Sequence, residues 1–356
     1  MPKYIYDTTK WNSDEFHFHL DEYQVNSSKI KGWVINKSNL PCKLLFIDTS
    51  TNEQHAITCD HLRPNLPNLY PNVKNANNCG FEIPIDLDVE KPFKYKLCIE
   101  LNNKLYPVAA IMSYSPLLFV HIAKTAGSTV NNFLTNAFGA ESSLVHVESV
   151  ADWGSKVEAL DLNYISGHIP LTQFNKVNLL KHFEKAITFR EPYSHVISHL
   201  AWVKALALPE NRERFLNHPE YIQNLSLKLS HCDFSCANSL NKLINSFEGP
   251  EFLLFDNTQT RYIRKNIQKP TVDVEDIVDA IHNLKNFRFV GLDDDIDGFL
   301  NQLVDFYGFK VKSENSRDNV LKTKFGLDPS RDDIKKSLYP LIDKDLEIYQ
   351  HLINRR

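Results

Sequence analysis

The residues of this chain best suited to chemistry sit in two short runs, each directly after an apolar segment of strand length. In the first, Leu117-Leu118-Phe119-Val120-His121-Ile122 leads through Ala123 into Lys124-Thr125-Ala126-Gly127-Ser128-Thr129. Beyond it Val130, Phe133, Leu134, Ala137 and Phe138 recur at the spacing of a helix with one buried face. Small residues let the loop amides turn inward, and the helix N-terminus adds partial positive charge. Such a strand–loop–helix suits a phosphate or sulfate group. In the second run, Ala186-Ile187-Thr188-Phe189 ends in Arg190-Glu191-Pro192, with Ser198 about two turns further along the helix that Pro192 opens. Arg190 then lies at the carboxyl tip of a strand, where parallel sheets bind ligands, and a guanidinium pairs bidentately with phosphate. Taken singly, the first run reads equally well as a turn with a solvated lysine, and the second reads better as a salt bridge from Arg190 to Glu191 or a neighbour.

The loop is not a Walker A motif. That motif places its lysine after the glycine, at the helix start, whereas Lys124 precedes Gly127 at the strand end. Nor is any apolar strand ending in Asp convincing as a Walker B partner. An NTPase or an ordinary kinase is disfavoured on both counts.

In order, the two runs resemble the motifs of sulfotransferases that use 3′-phosphoadenosine 5′-phosphosulfate (PAPS). In that family a Lys-Thr-(Ala/Gly)-(Gly/Ser)-(Ser/Thr)-Thr loop wraps the 5′-phosphosulfate. A later strand ends in Arg-(Asp/Glu)-Pro, with a Ser eight residues beyond the Arg, and these hold the 3′-phosphate. The resemblance covers about residues 115–356. It implies a donor site of Lys124, Thr125, Ala126, Gly127, Ser128, Thr129, Arg190 and Ser198. Tyr164-Ile165-Ser166-Gly167-His168 is similar to the Gly-His segment of the carbohydrate branch, the uronyl 2-O-sulfotransferases in particular, and makes His168 the expected base. His146 and Glu148 are its rivals and candidate acceptor contacts. Asn257-Thr258-Gln259-Thr260-Arg261-Tyr262 resembles that branch's Gln-Thr-Arg segment and adds Arg261 as a substrate contact. The resemblance also implies a nucleotide-covering loop at 312–324, with Asn315 and Ser316.

The implied reaction is in-line transfer of a sulfuryl group to a carbohydrate hydroxyl, with Lys124 as the cation at the bridging oxygen. The alternatives are a lipid or small-molecule acceptor, and a non-catalytic glycan-binding protein on a degenerate scaffold. No metal is expected, because the leaving group is a stable anion and no His/Cys set has ligand spacing along the chain.

These residues need a sheet to position them. After Pro107, apolar runs at Leu117–Ile122, Tyr164–Ser166, Ala186–Phe189, Phe252–Phe255 and Phe287–Val290 read as strands. Ser128–Phe138, Tyr193–Leu206, Ser239–Ser246, Val274–Asn283, Ile296–Tyr307 and Leu341–Ile353 read as helices. That alternation predicts an α/β fold, a P-loop-like parallel sheet flanked by helices, over residues 111–356. Residues 1–110 read differently. Period-two runs such as Tyr95–Leu101, separated by Asn, Pro and Ser, predict a small antiparallel β-sandwich with no helical period.

The whole chain has 356 residues, 42% hydrophobic and 24% charged, with a net charge of −4. This is a globular composition with no general attraction to nucleic acid. No apolar run is long enough to span a bilayer. The polar start lacks a signal-peptide core, so a cytoplasmic protein is expected. The six cysteines are scattered and read as free thiols.

Overall fold

The computed structural model describes residues 4–7, 14–21, 29–39, 43–49, 51–74, 76–84, 94–309 and 325–355. The chain divides into two compact units. One comprises 1–117 with 150–163 and 177–183; the other comprises 118–149, 164–176 and 184–356. The division falls at 117/118; the expected 110/111 lies inside the strand Lys104–Met112.

The first unit is built on antiparallel sheets of five and four strands. Strand Phe16–Leu20 alternates buried and half-buried residues, the period-two pattern of a sheet with one face inward. Both sheets feed one hydrophobic cluster, with Phe18, Ile30 and Phe81 from the smaller sheet and Leu44, Leu97, Ile99 and Ile111 from the larger. A short helix, Leu66–Leu69, interrupts a stretch in which no helix was expected. Pro67 presets its first turn.

The second unit holds a five-stranded parallel sheet flanked by helices. Its strands are β1 (Leu117–Val120), β2 (Ser143–Leu144), β3 (Tyr164–Gly167), β4 (Glu184–Phe189) and β5 (Phe289–Leu292), in the order β2-β3-β1-β4-β5. Every residue of β1 and β3 is buried, as expected for strands covered on both faces. The chain begins at the centre of this sheet and builds outward to both sides, so the carboxyl end of β1 lies at the topological switch point.

Helix α1 (Gly127–Phe138) buries Val130, Phe133 and Leu134, and stacks Phe138 on Tyr164 of β3. Helix α2 (Pro192–Leu206) starts on Pro192, and Glu191 caps it by accepting from the Tyr193 and Ser194 amides at 3.1 and 2.7 Å. Glu191 is therefore a cap and not the salt-bridge partner of Arg190. Helices α3 (Thr258–Ile263), α4 (Val274–Leu284), α5 (Ile296–Tyr307) and α6 (Asp343–Ile353) follow.

One expected strand is a helix. Phe252–Phe255 lies in the helix Gly249–Phe255, opened by Gly249 and Pro250. Four apolar residues do not separate strand from helix, and the Gly-Pro start decides it. The fifth strand is instead the short Ser143–Leu144 pair, too brief to leave a periodic signal. The helix Glu220–Ser230 was also not expected. The five described cysteines are free.

Candidate functional site

Residues following the carboxyl ends of all five parallel strands line one cleft. His146 and Glu148 follow β2, His168 follows β3, Lys124 and Ala126 to Thr129 follow β1, Arg190 follows β4 and Asp293 follows β5. The cleft measures about 1910 Å³, beyond the ~300–1,000 Å³ of a pocket for one small ligand.

The loop after β1 is fixed from behind through its carbonyls. Thr125 Oγ1 donates to the Ile122 carbonyl (2.9 Å), His195 Nε2 to Ala123 (2.8 Å), Arg190 Nη1 to Lys124 (3.2 Å) and Thr188 Oγ1 to Thr125 (2.8 Å). Four successive carbonyls are engaged in this way, and Ala126 to Thr129 line the cleft. Lys124 and Ala126 both adopt left-handed backbone, with φ of +70° and +64°. Non-glycine residues in that region cost of order 1–3 kcal/mol each and concentrate at ligand-binding turns; alternation about such residues forms an anion-binding nest. Helix α1 begins there without a side-chain cap, so its first amides remain for a ligand.

Gly127 has a role the sequence did not reveal. A Cβ there would lie 2.0 Å from the His121 imidazole, so the glycine admits His121 beneath the start of the helix. His121 Nδ1 faces the Asn131 amide nitrogen at 3.3 Å, and Asn131 Oδ1 accepts from the Tyr164 hydroxyl. The amide donor makes Nδ1 the acceptor and puts the His121 proton on Nε2.

Lys124 has no counter-ion among the described residues. Burial, and then the guanidiniums of Arg190 and Arg214, lower its ammonium pKa from 10.5 to about 8, and no carboxylate among the described residues offsets them. Its Nζ also lies 6.0 Å from the centre of the Trp202 ring. A half-buried cation cluster of this kind is relieved by an anion.

Arg190 is held at both ends of its main chain by one side chain. Its N–H donates to Gln259 Oε1 at 2.8 Å and its carbonyl accepts from Gln259 Nε2 at 2.9 Å. Gln259 is fixed in turn by Asp345 of α6, whose carboxylate accepts from the Gln259 and Thr260 amides and the Thr260 hydroxyl. Burial pushes the Asp345 acid up to about 7, while these three donors pull the other way. The Arg190 guanidinium lies 3.0 Å from Asp293 Oδ2 through Nε, an ion pair not aligned as a hydrogen bond. Ser198, expected as its partner, lines the same cleft.

On the opposite side the His121, His146 and His168 rings cluster, with Glu148 against His146 and His168. The His121 and His168 rings are 3.9 Å apart and those of His146 and His168 5.6 Å. His168 Nδ1 lies 2.9 Å from the His121 carbonyl and can only donate to it, which leaves the lone pair on Nε2. Burial lowers the His168 pKa below 6.5 against the opposing pull of Glu148, so the ring is a neutral acceptor at pH 7. Glu148 Oε2 accepts from the His168 amide at 2.8 Å, and its Oε1 lies 3.2 Å from His146 Nδ1. Gly167 makes this approach feasible, since a Cβ there would meet Val147 Cγ2 at 2.4 Å and Glu148 Oε2 at 2.9 Å.

The structure thus brings together Lys124, Thr129, Arg190, Ser198, His168, His146 and Glu148. Arg261 borders the cleft, but its guanidinium is committed to Asp256 and to the Pro270 carbonyl, which makes it a bracing residue rather than a free substrate contact. Asn315 and Ser316 lie outside the described residues. Sequence reasoning missed His121, His195, Arg214, Gln259, Asp293 and Asp345 as members of the site, because their relevance comes from contacts distant along the chain. It also read no set of metal-ligand spacing, whereas folding gathers His146, Glu148 and His168 from two loops. No protein-family model matches the chain, and no curated protein matches it.

Proposed function

We propose that this chain is a PAPS-dependent sulfotransferase acting on a carbohydrate hydroxyl. The observation that carries the reading is Lys124, a cation with no offsetting carboxylate among the described residues, beside Arg190 and Arg214 on a left-handed loop that lines the cleft. Such a loop fits an anion, and the second cation at Arg190 fits an anion with two separated charged groups.

In this reading Lys124 and the amides of Thr125 to Thr129 hold the 5′-phosphosulfate, with the Ser128 and Thr129 hydroxyls beside them. Arg190 and Ser198 take the 3′-phosphate. His168 Nε2 accepts the acceptor's hydroxyl proton as its oxygen bonds to sulfur and the sulfur–oxygen bond to the phosphate breaks. Lys124 stabilises the negative charge that grows on that departing oxygen, the kind of preorganised electrostatic term that dominates many enzymes. The nucleotide bisphosphate leaves with both electrons of the broken bond. The antiparallel unit is then an accessory β-sandwich. No helix among the described residues is long and apolar enough to cross a membrane.

The test is transfer of ³⁵S from labelled PAPS to a panel of glycans. Label should appear in at least one glycan and disappear in Lys124→Ala and Arg190→Ala. Normal turnover in either variant overturns the donor-site assignment, and label appearing only in lipids or small alcohols overturns the carbohydrate acceptor.

A further inference from the structure

We propose that His146, Glu148 and His168 form a zinc-binding site, and that zinc there blocks the proton-accepting nitrogen. One ligand atom from each residue lies within 4.8 Å of those from the other two. Tetrahedral zinc with nitrogen and oxygen ligands at ~2.0–2.1 Å leaves its ligand atoms about 3.3 Å apart. His146 Nδ1 and Glu148 Oε1 already stand 3.2 Å apart. The remaining closure needs a side-chain shift, for which His146, 53% exposed, is better placed than Glu148, 28% exposed.

The surroundings are those of oriented ligands. The proton on His168 Nδ1 goes to the His121 carbonyl, which aims Nε2 outward in the manner of metal-ligating imidazoles. Glu148 spends one oxygen on the His168 amide and presents the other to His146. Gly167 is the residue that lets this carboxylate close on the strand end. His146 itself has left-handed backbone, with φ of +55°, a strained placement of the kind found at functional sites. Two imidazoles and one carboxylate, with a fourth position open to the cleft, suit Zn²⁺ better than Mg²⁺ or Ca²⁺, which favour oxygen ligands.

Zinc binding stands without the proposed function; its consequence rests on it. Metal on His168 Nε2 occupies the lone pair that takes the acceptor's proton, so zinc inhibits transfer.

The experiment titrates chelator-treated full-length protein with Zn²⁺ in competition with a chromophoric zinc indicator. Cys236 is exposed and can also take zinc, so the variants decide the outcome. One equivalent should be held by His146, Glu148 and His168, with affinity falling about tenfold or more in both His146→Ala and Glu148→Gln. No zinc drawn from the indicator, or unchanged uptake in both variants, overturns the site. In parallel, transfer should be inhibited by zinc in the parent protein and less so in His146→Ala. Equal inhibition in both overturns the blocking mechanism. Zinc uptake as predicted, with no transfer to any acceptor under chelation, contradicts the proposed function and leaves the metal site standing.

Discussion

Gln259 grips Arg190 as a neighbouring strand would, accepting from its N–H at 2.8 Å and donating to its carbonyl at 2.9 Å. The two residues belong to different elements, and the contact continues the hydrogen-bonding of β4 past its last residue. The direction of Arg190 is therefore set before any ligand arrives. Gln259→Leu leaves two main-chain groups unpaired, each loss worth about 1–3 kcal/mol if it remains buried. Calorimetry on this variant should show binding of 3′-phosphoadenosine 5′-phosphate weakened roughly tenfold or more. Adenosine 5′-phosphosulfate, which lacks the 3′-phosphate, should lose much less. Equal losses for both would make Gln259 a support of the fold rather than of Arg190.

Lys124 predicts the pH dependence of donor binding. Its ammonium in the free protein titrates at about 8. A bound anion favours the charged form and raises that pKa, so binding above pH 8 must take up a proton. Between about pH 7 and 8, above the second phosphate ionisation at about 6, affinity for the bisphosphate should be flat, and above pH 8 it should fall by at most about tenfold per pH unit. Lys124→Ala should abolish this slope along with most of the affinity. A slope that persists in the variant would assign the titration elsewhere.

His168 governs the acid limb. Its neutral form is the competent one, and its pKa is lowered below 6.5. The transfer rate should therefore decline only as pH falls below 6.5. His168→Ala should reduce kcat by about 10²–10⁴-fold, the usual contribution of a positioned base. Near-normal turnover in that variant would move the base to His146 or Glu148.

Gly167→Ala tests the loop closure. The added methyl meets Val147 and Glu148 at distances no Cβ tolerates, with the Val147 main chain at 3.2 Å behind them. Overpacking of this sort costs about 1–3 kcal/mol, so Tm should drop and transfer should fall as Glu148 leaves the His168 amide. Unchanged Tm and turnover would show that the β2 loop yields freely.

Much of this arrangement was legible in the sequence where local rules suffice. Ile296–Tyr307 is a helix over the expected residues, and β1, β3 and β4 follow from apolar runs that end in polar tips. The Phe252–Phe255 helix was not, because a four-residue apolar run has no period. The loop motif identified Gly127 without its reason: the positive φ angles belong to Lys124 and Ala126, and Gly127 is small to admit His121. The Asp345–Gln259–Arg190 relay and the gathering of His146, Glu148 and His168 join residues far apart in the chain, and no spacing rule announces them.

The most direct test of the central claim is thermal unfolding with 3′-phosphoadenosine 5′-phosphate and, separately, with ATP. Ligand at 100 times its Kd adds about 2.7 kcal/mol of stability. The bisphosphate should raise Tm in the parent protein and fail to do so in Lys124→Ala and Arg190→Ala, while ATP should leave Tm unchanged. Equal protection by ATP, or none by the bisphosphate, would contradict the assignment.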